Sequence, residues 1–251
     1  MSLFALGAGL LSLRKTPFMS VGTASAATPV SRLTNGIMAQ WVQALEETAS
    51  FGVDLGAPAA PDLVAVFNHN INSVADVFVE GASDAAFTTD VVTITTTVRT
   101  PHFWVDLRTT ADRTRRYWRL RVEGATAAVR VGELIVAQVQ TIRTYQWDYT
   151  DVKAYPEIGS VNDLGVLSRV KLGFAVRSRE MTFSGDRMME TQLRAIFQGM
   201  GLDPQPCLFV PVESETDVWL WQSVEALPVE WQADGWRKVT IRVDEQSPGI
   251  P

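Results

Sequence analysis

Short runs in which apolar and polar residues alternate recur along much of the chain, and this period of two limits the possible folds more than any other feature. Tyr117-Trp118-Arg119-Leu120-Arg121-Val122, Lys171-Leu172-Gly173-Phe174-Ala175-Val176-Arg177 and Trp236-Arg237-Lys238-Val239-Thr240-Ile241-Arg242-Val243 all follow it, and Val218-Trp219-Leu220-Trp221 repeats the pattern. Successive strand side chains point to opposite faces, so each run buries one face and wets the other. The stretch 91–98, Val-Val-Thr-Ile-Thr-Thr-Thr-Val, is β-branched throughout, as pleated surfaces favour. Helical spacing is clear over 186–200, where Met188, Met189, Leu193, Ile196 and Phe197 recur and Gly199 and Gly201 stop the run. Met188, Leu193, Ile196 and Phe197 are expected inward, with Arg187, Glu190 and Arg194 facing solvent or a neighbouring subunit. Weaker helical spacing runs over 39–50 (Trp41, Leu45, Ala49). The expected fold is all-β (mainly), with two β-sandwich domains, the second carrying the helix. The loop-rich stretch after about 141, with Pro156, Gly159 and Gly165, places the boundary there. The divisions expected are an N-terminal arm over 1–22, one β-sandwich over 23–142 and a second β domain over 143–251.

Of the 251 residues, 46% are hydrophobic and 20% charged, enough apolar material for a core and unlike a disordered chain. The net charge of -6 argues against nucleic acid, whose binding draws on a positive field. Arg113, Arg115, Arg116, Arg119 and Arg121 do cluster. Without a surrounding basic-aromatic motif they read as an exposed strand face or a polar face at a subunit contact. The apolar run Phe4 to Leu13 is too short to span a bilayer, and Arg14 and Lys15 follow it instead of preceding it as in a signal peptide. It reads as an arm that packs on a neighbour or on the body of the protein, so membrane insertion is not expected. Cys207 stands alone in the apolar run Pro206-Cys207-Leu208-Phe209-Val210 and reads as a core-strand residue.

The inventory of chemistry is short. His69 and His102 are the two histidines, and His69 has no second His, Cys or carboxylate at ligand spacing. There is no phosphate-cradling glycine loop and no G-x-S-x-G elbow. Asp148, Asp151, Glu157 and Asp163 lack EF-hand spacing and read as solvated loop charges. No catalytic residue, cofactor or metal is therefore expected, and the chain reads as a non-enzyme.

An ordered series of segments carries a resemblance. Leu33-Thr34-Asn35-Gly36 with Gln40-Trp41 comes first, then Phe51-Gly52-Val53-Asp54-Leu55-Gly56, Phe67-Asn68-His69-Asn70-Ile71 and Val77-Phe78-Val79-Glu80-Gly81-Ala82-Ser83-Asp84. Tyr117-Trp118-Arg119-Leu120 and Val131-Gly132-Glu133-Leu134 close it. Together the segments resemble a galactose-binding-like jelly roll of the discoidin (coagulation-factor C-type) kind. Gly56 ends a strand where a backbone turn is needed. Asn68, His69 and Asn70 follow an apolar strand and can bond to amides that a tight loop leaves unpaired, which makes them a structural loop motif. The resemblance implies sugar or lipid-headgroup binding at the loop end. Such a site needs an aromatic platform with polar groups that fix hydroxyls, and Trp41, Phe103, Trp104 and Tyr145 are the candidates. Trp118 lies in a strand and reads as core.

The second half orders strands, the helix, Pro204-Gln205-Pro206-Cys207-Leu208-Phe209-Val210-Pro211 and a final hairpin ending Val243-Asp244-Glu245-Gln246-Ser247-Pro248-Gly249. That order resembles the β domain of tailed-phage tail-tip and baseplate proteins. The two resemblances imply a structural component of a phage-like tail, a distal-tail-like ring or a minor tail protein. It would be a homo-oligomer bound to other tail proteins, made in the bacterial host cytoplasm and located in the virion. The second reading is a carbohydrate-binding module that recognises a host-surface glycan. Self-assembly against monomeric glycan binding separates the two.

Overall fold

The computed structural model describes residues 5–6, 15–35, 37, 39–97, 102–141, 146–154, 157–161, 167–171, 176–199, 207–210, 219–223, 229–231 and 236–245. The chain divides into two compact units, one formed by 1–141 with 207–218 and the other by 142–206 with 219–251.

The first unit is a β-sandwich. Its strands are β1 (Ala5–Leu6), β2 (Thr16–Val21), β3 (Val42–Gln43), β4 (Ala49–Ala59), β5 (Leu63–Phe67), β6 (Asp76–Ala82), β7 (Val92–Thr96), β8 (His102–Asp106), β9 (Arg115–Glu123), β10 (Arg130–Val131), β11 (Glu133–Ala137) and β12 (Gln140–Thr141). One sheet runs β2-β4-β9-β6-β7 and the facing sheet β11-β5-β8, with β3 and β10 forming a short ribbon. Phe51, Val53, Val77, Val79, Trp118, Leu120 and Val122 from the first sheet meet Val64, Val66, Phe103, Val105, Leu134 and Val136 from the second in one core. The alternation in 117–122 is thus realised: Trp118, Leu120 and Val122 are buried while Arg119 and Arg121 stand on the other face. β5 and β11 are buried at every position, which is why they read as continuous apolar runs. β4 changes register between Asp54 and Ala59. There the Asp54 carboxylate accepts the Gly56 N–H at 2.7 Å, and Gly56 takes φ +81°.

The sequence-based boundaries shift in two places. β2 pairs with β4, so the jelly-roll sheet begins at Thr16, inside the segment expected to be an arm. Farther upstream, β1 pairs with β12 and with β17 (Cys207–Val210). The other residues of the apolar run Phe4 to Leu13 lie outside the described set. Cys207 opens a strand, as its apolar surroundings suggest. The weak helical spacing over 39–50 corresponds to β3 and the start of β4, with a 3-10 turn at Val30–Thr34 just before. Pairing with β10 and β9 overrides that local spacing.

The second unit contains β13 (Gln146–Ala154), β14 (Glu157–Val161), β15 (Leu167–Lys171), β16 (Val176–Gly185), α1 (Arg187–Gly199), β18 (Trp219–Ser223), β19 (Val229–Trp231) and β20 (Arg237–Glu245). β18, β20, β16 and β13 lie side by side, β19 also pairs with β20, and β14 and β15 form a hairpin. Asp148 and Asp151 stand in β13 and Glu157 in β14, not in loops as their acidity suggested; Asp163 is outside the described residues. Asp186 caps α1, its Oδ1 accepting the N–H of Met188 at 2.9 Å and of Met189 at 3.1 Å.

The inward stripe of α1 runs through Met189 and Leu193, both 0% exposed, whereas Met188, expected inward, is 53% exposed. The correction follows from the 100° step per residue: Met189 and Leu193 share a face, and Met188 lies on the flank of it. Arg187 and Arg194 are exposed, but Glu190 is mostly covered and binds Arg237 of β20 at 2.6 Å as well as Arg194 at 2.7 Å. Glu190 therefore ties the helix to the sheet. The Ile196 and Phe197 side chains lie outside the described set. Leu193→Ala should lower the stability of this unit by about 2–5 kcal/mol, measured by urea denaturation. A loss below about 1 kcal/mol would show that the site is not packed.

Candidate ligand-binding site

Strand register defines the two ends of the sandwich. Ala49 pairs with Val122 and Asp76 with Glu123, so the start of β4, the end of β9 and the start of β6 share one end. β5 returns to that end after the short link 60–62. The described residues of 22–48, with loops 68–75 and 124–129, therefore gather there, while 83–91 and 107–114 lie at the other.

The 68–70 motif at this end acts on the backbone. The Asn70 side chain spans a gap between loops: its Nδ2 donates to the Ala128 carbonyl at 2.9 Å, and its Oδ1 accepts the Arg130 N–H at 2.6 Å. Asn68 adopts φ 48°, a left-handed conformation that Asn tolerates better than most residues. Its N–H donates to Nδ1 of His102 at 3.1 Å. His69 is buried, accepts the Ile71 N–H on Nδ1 at 3.2 Å and packs edge-on against Phe103. Both imidazoles thus use Nδ1 to satisfy backbone amides. Asn70→Ala should cost about 1–3 kcal/mol, since two backbone groups lose their partner. An unchanged melting temperature would remove the structural assignment.

The aromatic candidates separate. Phe103 is 2% exposed and belongs to the core, so it cannot serve as a platform; its neighbour Trp104 is half-buried on the opposite face of β8, beside Ala65 of β5. Tyr145 lies outside the described residues. Trp41 stands at the loop end, partly exposed, directly before β3.

The β3–β10 ribbon orients Trp41. Val42 pairs with Val131 and both are fully buried, so the alternating positions Trp41, Gln43 and Arg130 share the outward face. Gly132, next after Val131, brings no side chain to that face. The Arg130 guanidinium lies 4.8 Å from the centre of the Trp41 ring, a cation–π contact that holds the indole in place. Asn70, exposed, is bonded to the ribbon through Arg130, and Gln40, also exposed, precedes the indole in sequence. The result is an ordered aromatic ring with a guanidinium against it and Gln43 on the same outward face. The Gln40 amide accepts from Asn35, and the Asn70 amide is held by Ala128 and Arg130. Trp41 was readable in the sequence; Arg130 and Gln43 were not, because only the pairing of β3 with β10 brings them beside it.

The arginine cluster on β9 has a different role. Arg119 binds Glu80 at 2.7 Å, Arg121 binds Glu80 at 2.9 Å and also pairs with Glu123, and Arg116 binds Asp54 at 2.7 Å. Arg119 also lies 3.9 Å from the Phe87 ring centre and Arg121 4.2 Å from that of Phe78. The hydrogen bond from Arg116 holds the Asp54 carboxyl below its usual range despite partial burial. Arg113 and Arg115 pair with Asp62 and Asp112. The cluster is a neutralised strand face, not a free cationic patch. Among the described residues, no group of three or more His, Cys, Asp or Glu side chains converges as a metal site.

No protein-family model matches the chain, and no curated protein matches it in sequence. Solved structures are similar over about half of it. The lectin domain of Lectinolysin complexed with Lewis B antigen is 15% identical, with 51% of this chain and 96% of that chain covered and a TM-score of 0.43. Chitosan-binding module 1 of a chitosanase/glucanase from Paenibacillus sp. IK-5 is 20% identical over 50% of this chain and 96% of that one, at TM-score 0.42. A Streptococcus pneumoniae fucose binding module is 12% identical over 51% and 94%, at TM-score 0.42.

Proposed function

We propose that the first unit is a carbohydrate-binding module whose ligand lies on the outward face of the β3–β10 ribbon. The carrying observation is Trp41, set at the loop end and fixed by Arg130 4.8 Å from its ring centre, with Gln43 on the same face. An indole offers an apolar plane to the C–H face of a pyranose, and amides and a guanidinium supply hydrogen bonds to its substituents. The similar structures named above include modules described as binding fucose, chitosan or Lewis B antigen, but at that level of similarity the reading rests on the geometry of the ribbon. Assembly into a phage-like tail, with its ring partners and virion location, has no structural observation to carry it, and none of the three structures is a tail protein.

The test is a glycan array probed with the full-length protein, followed by calorimetric titration of the hits. Trp41→Ala should weaken binding about tenfold or more at unchanged melting temperature. A protein that binds no glycan, or a Trp41→Ala variant that binds as well as the parent, would overturn the proposal.

A further inference from the structure

Six arginines on the strands and links of the first unit each face a carboxylate: Arg108 with Asp106, Arg113 with Asp62, Arg115 with Asp112, Arg116 with Asp54, and Arg119 and Arg121 with Glu80. Arg130 breaks the pattern. Like Arg32 of the 3-10 turn it forms no ion pair with a described residue, but its Nε, unlike any atom of Arg32, is buried without a hydrogen-bond partner. Among the described residues, five other carboxylates stand at this end of the sandwich. Glu123 ends β9 and pairs with Arg121, and Glu133 is fully buried at the start of β11. Glu46 accepts the Thr23 N–H at 2.8 Å, and Glu47 and Asp76 are exposed. None of them is in ion-pair contact with Arg130. A guanidinium partly withdrawn from water without a counter-charge is costly, and a carboxylate arriving with a ligand would relieve that cost through a paired, charge-assisted contact.

We propose that the ligand of the ribbon is an acidic glycan whose sugar carboxylate docks on Arg130 while its ring covers the Trp41 indole. The inference rests on reading the ribbon as a glycan site and adds the class of sugar: a uronate or a sialic acid. Gln43, opposite Arg130 on the ribbon, then faces the hydroxyls. The net charge of the chain is -6, so the attraction is local to Arg130 and short-ranged at ordinary salt.

The experiment titrates the full-length protein with two matched pairs, oligogalacturonate against its methyl ester and sialyllactose against lactose. The acidic member of at least one pair should bind about tenfold or more tightly than its neutral partner and should lose that margin as salt is raised. Which pair shows the margin identifies the source of the carboxylate. Arg130→Gln should bring both members to the same affinity, and Arg130→Lys, which keeps the charge but not the fork, should keep part of the preference. Thermal melts of both variants check that the fold is intact. Equal binding of acidic and neutral partners, with both lost in Trp41→Ala, would overturn the acidic preference and leave the glycan reading standing. An acidic preference that survives Arg130→Gln and Arg130→Lys would remove Arg130 from the site. Failure to bind any glycan, acidic or neutral, on the array and in these titrations would overturn both readings together.

Discussion

Replacing Glu80 with alanine should destabilise the jelly roll by about 3–5 kcal/mol, because it strands charges that the fold has partly dried. The Glu80 side chain is 5% exposed and holds Arg119 at 2.7 Å and Arg121 at 2.9 Å. Arg121 retains Glu123, but Arg119 loses its one carboxylate partner among the described residues. Burial pushes the Glu80 carboxyl up, yet the hydrogen bonds from Arg121 and Arg119 outweigh it and leave the group below its ordinary value of 4.5. A carboxylate depressed in the folded state contributes stability that is present above its unfolded value and lost as pH falls through the folded one. Acidification below about pH 4.5 should therefore destabilise the parent more than Glu80→Ala, so their stabilities converge. Urea denaturation at neutral and acid pH gives both quantities. A loss under about 1 kcal/mol at neutral pH would show that water screens the pair as it does a surface one.

Trp118→Ala should cost about 3–5 kcal/mol, through lost burial and the cavity left behind. Trp118 is fully buried at the centre of β9, and its indole occupies the space left by Gly81 on β6. A Cβ at Gly81 would lie 2.9 Å from the indole Cζ2, so Gly81→Val should also destabilise, by about 1–3 kcal/mol through overpacking. The indole N–H is buried without a partner, so Trp118→Phe, which removes that orphan donor, should be milder than Trp118→Ala. Equal losses for the phenylalanine and alanine variants would contradict the packing described.

Period-two alternation identified the strands because burial on one face writes itself directly into the residue order, as in Trp118, Leu120 and Val122. It left silent what depends on partners far away in sequence. Nothing in the residue order around Glu80 marks its burial, which follows from the two arginines that β9 places beside it. Met188 and Met189 are equally apolar, and only docking on β16 and β20 decides which of them is covered. Phe103 and Trp104 are adjacent aromatics on opposite faces, and the run around them does not say which face is the core. In the candidate site Trp41 could be picked out as an aromatic near a loop, whereas its relation to Arg130 depends on two two-residue strands too short to leave a pattern. The asparagines of the 68–70 motif were readable because their chemistry serves adjacent loops.

Across the outer face of the five-stranded sheet, one row joins Phe18, Gly52, Arg119, Glu80 and Thr93, one residue from each strand. The Phe18 ring lies over Gly52, where an added Cβ would come within 2.4 Å of it. Sliding β6 by one position would turn Glu80 toward the core and bring an apolar residue out beside Arg119. The row therefore acts as a check on alignment: a mispaired sheet buries an unpaired carboxylate, and the correct register alone closes the ion pairs. Its members come from segments as far apart in sequence as Phe18 and Arg119, so closing it requires long loops to have formed already. Refolding of this unit should thus be limited by correct pairing of distant strands, and weakening the row should admit slipped, aggregation-prone sheets before it alters the native one.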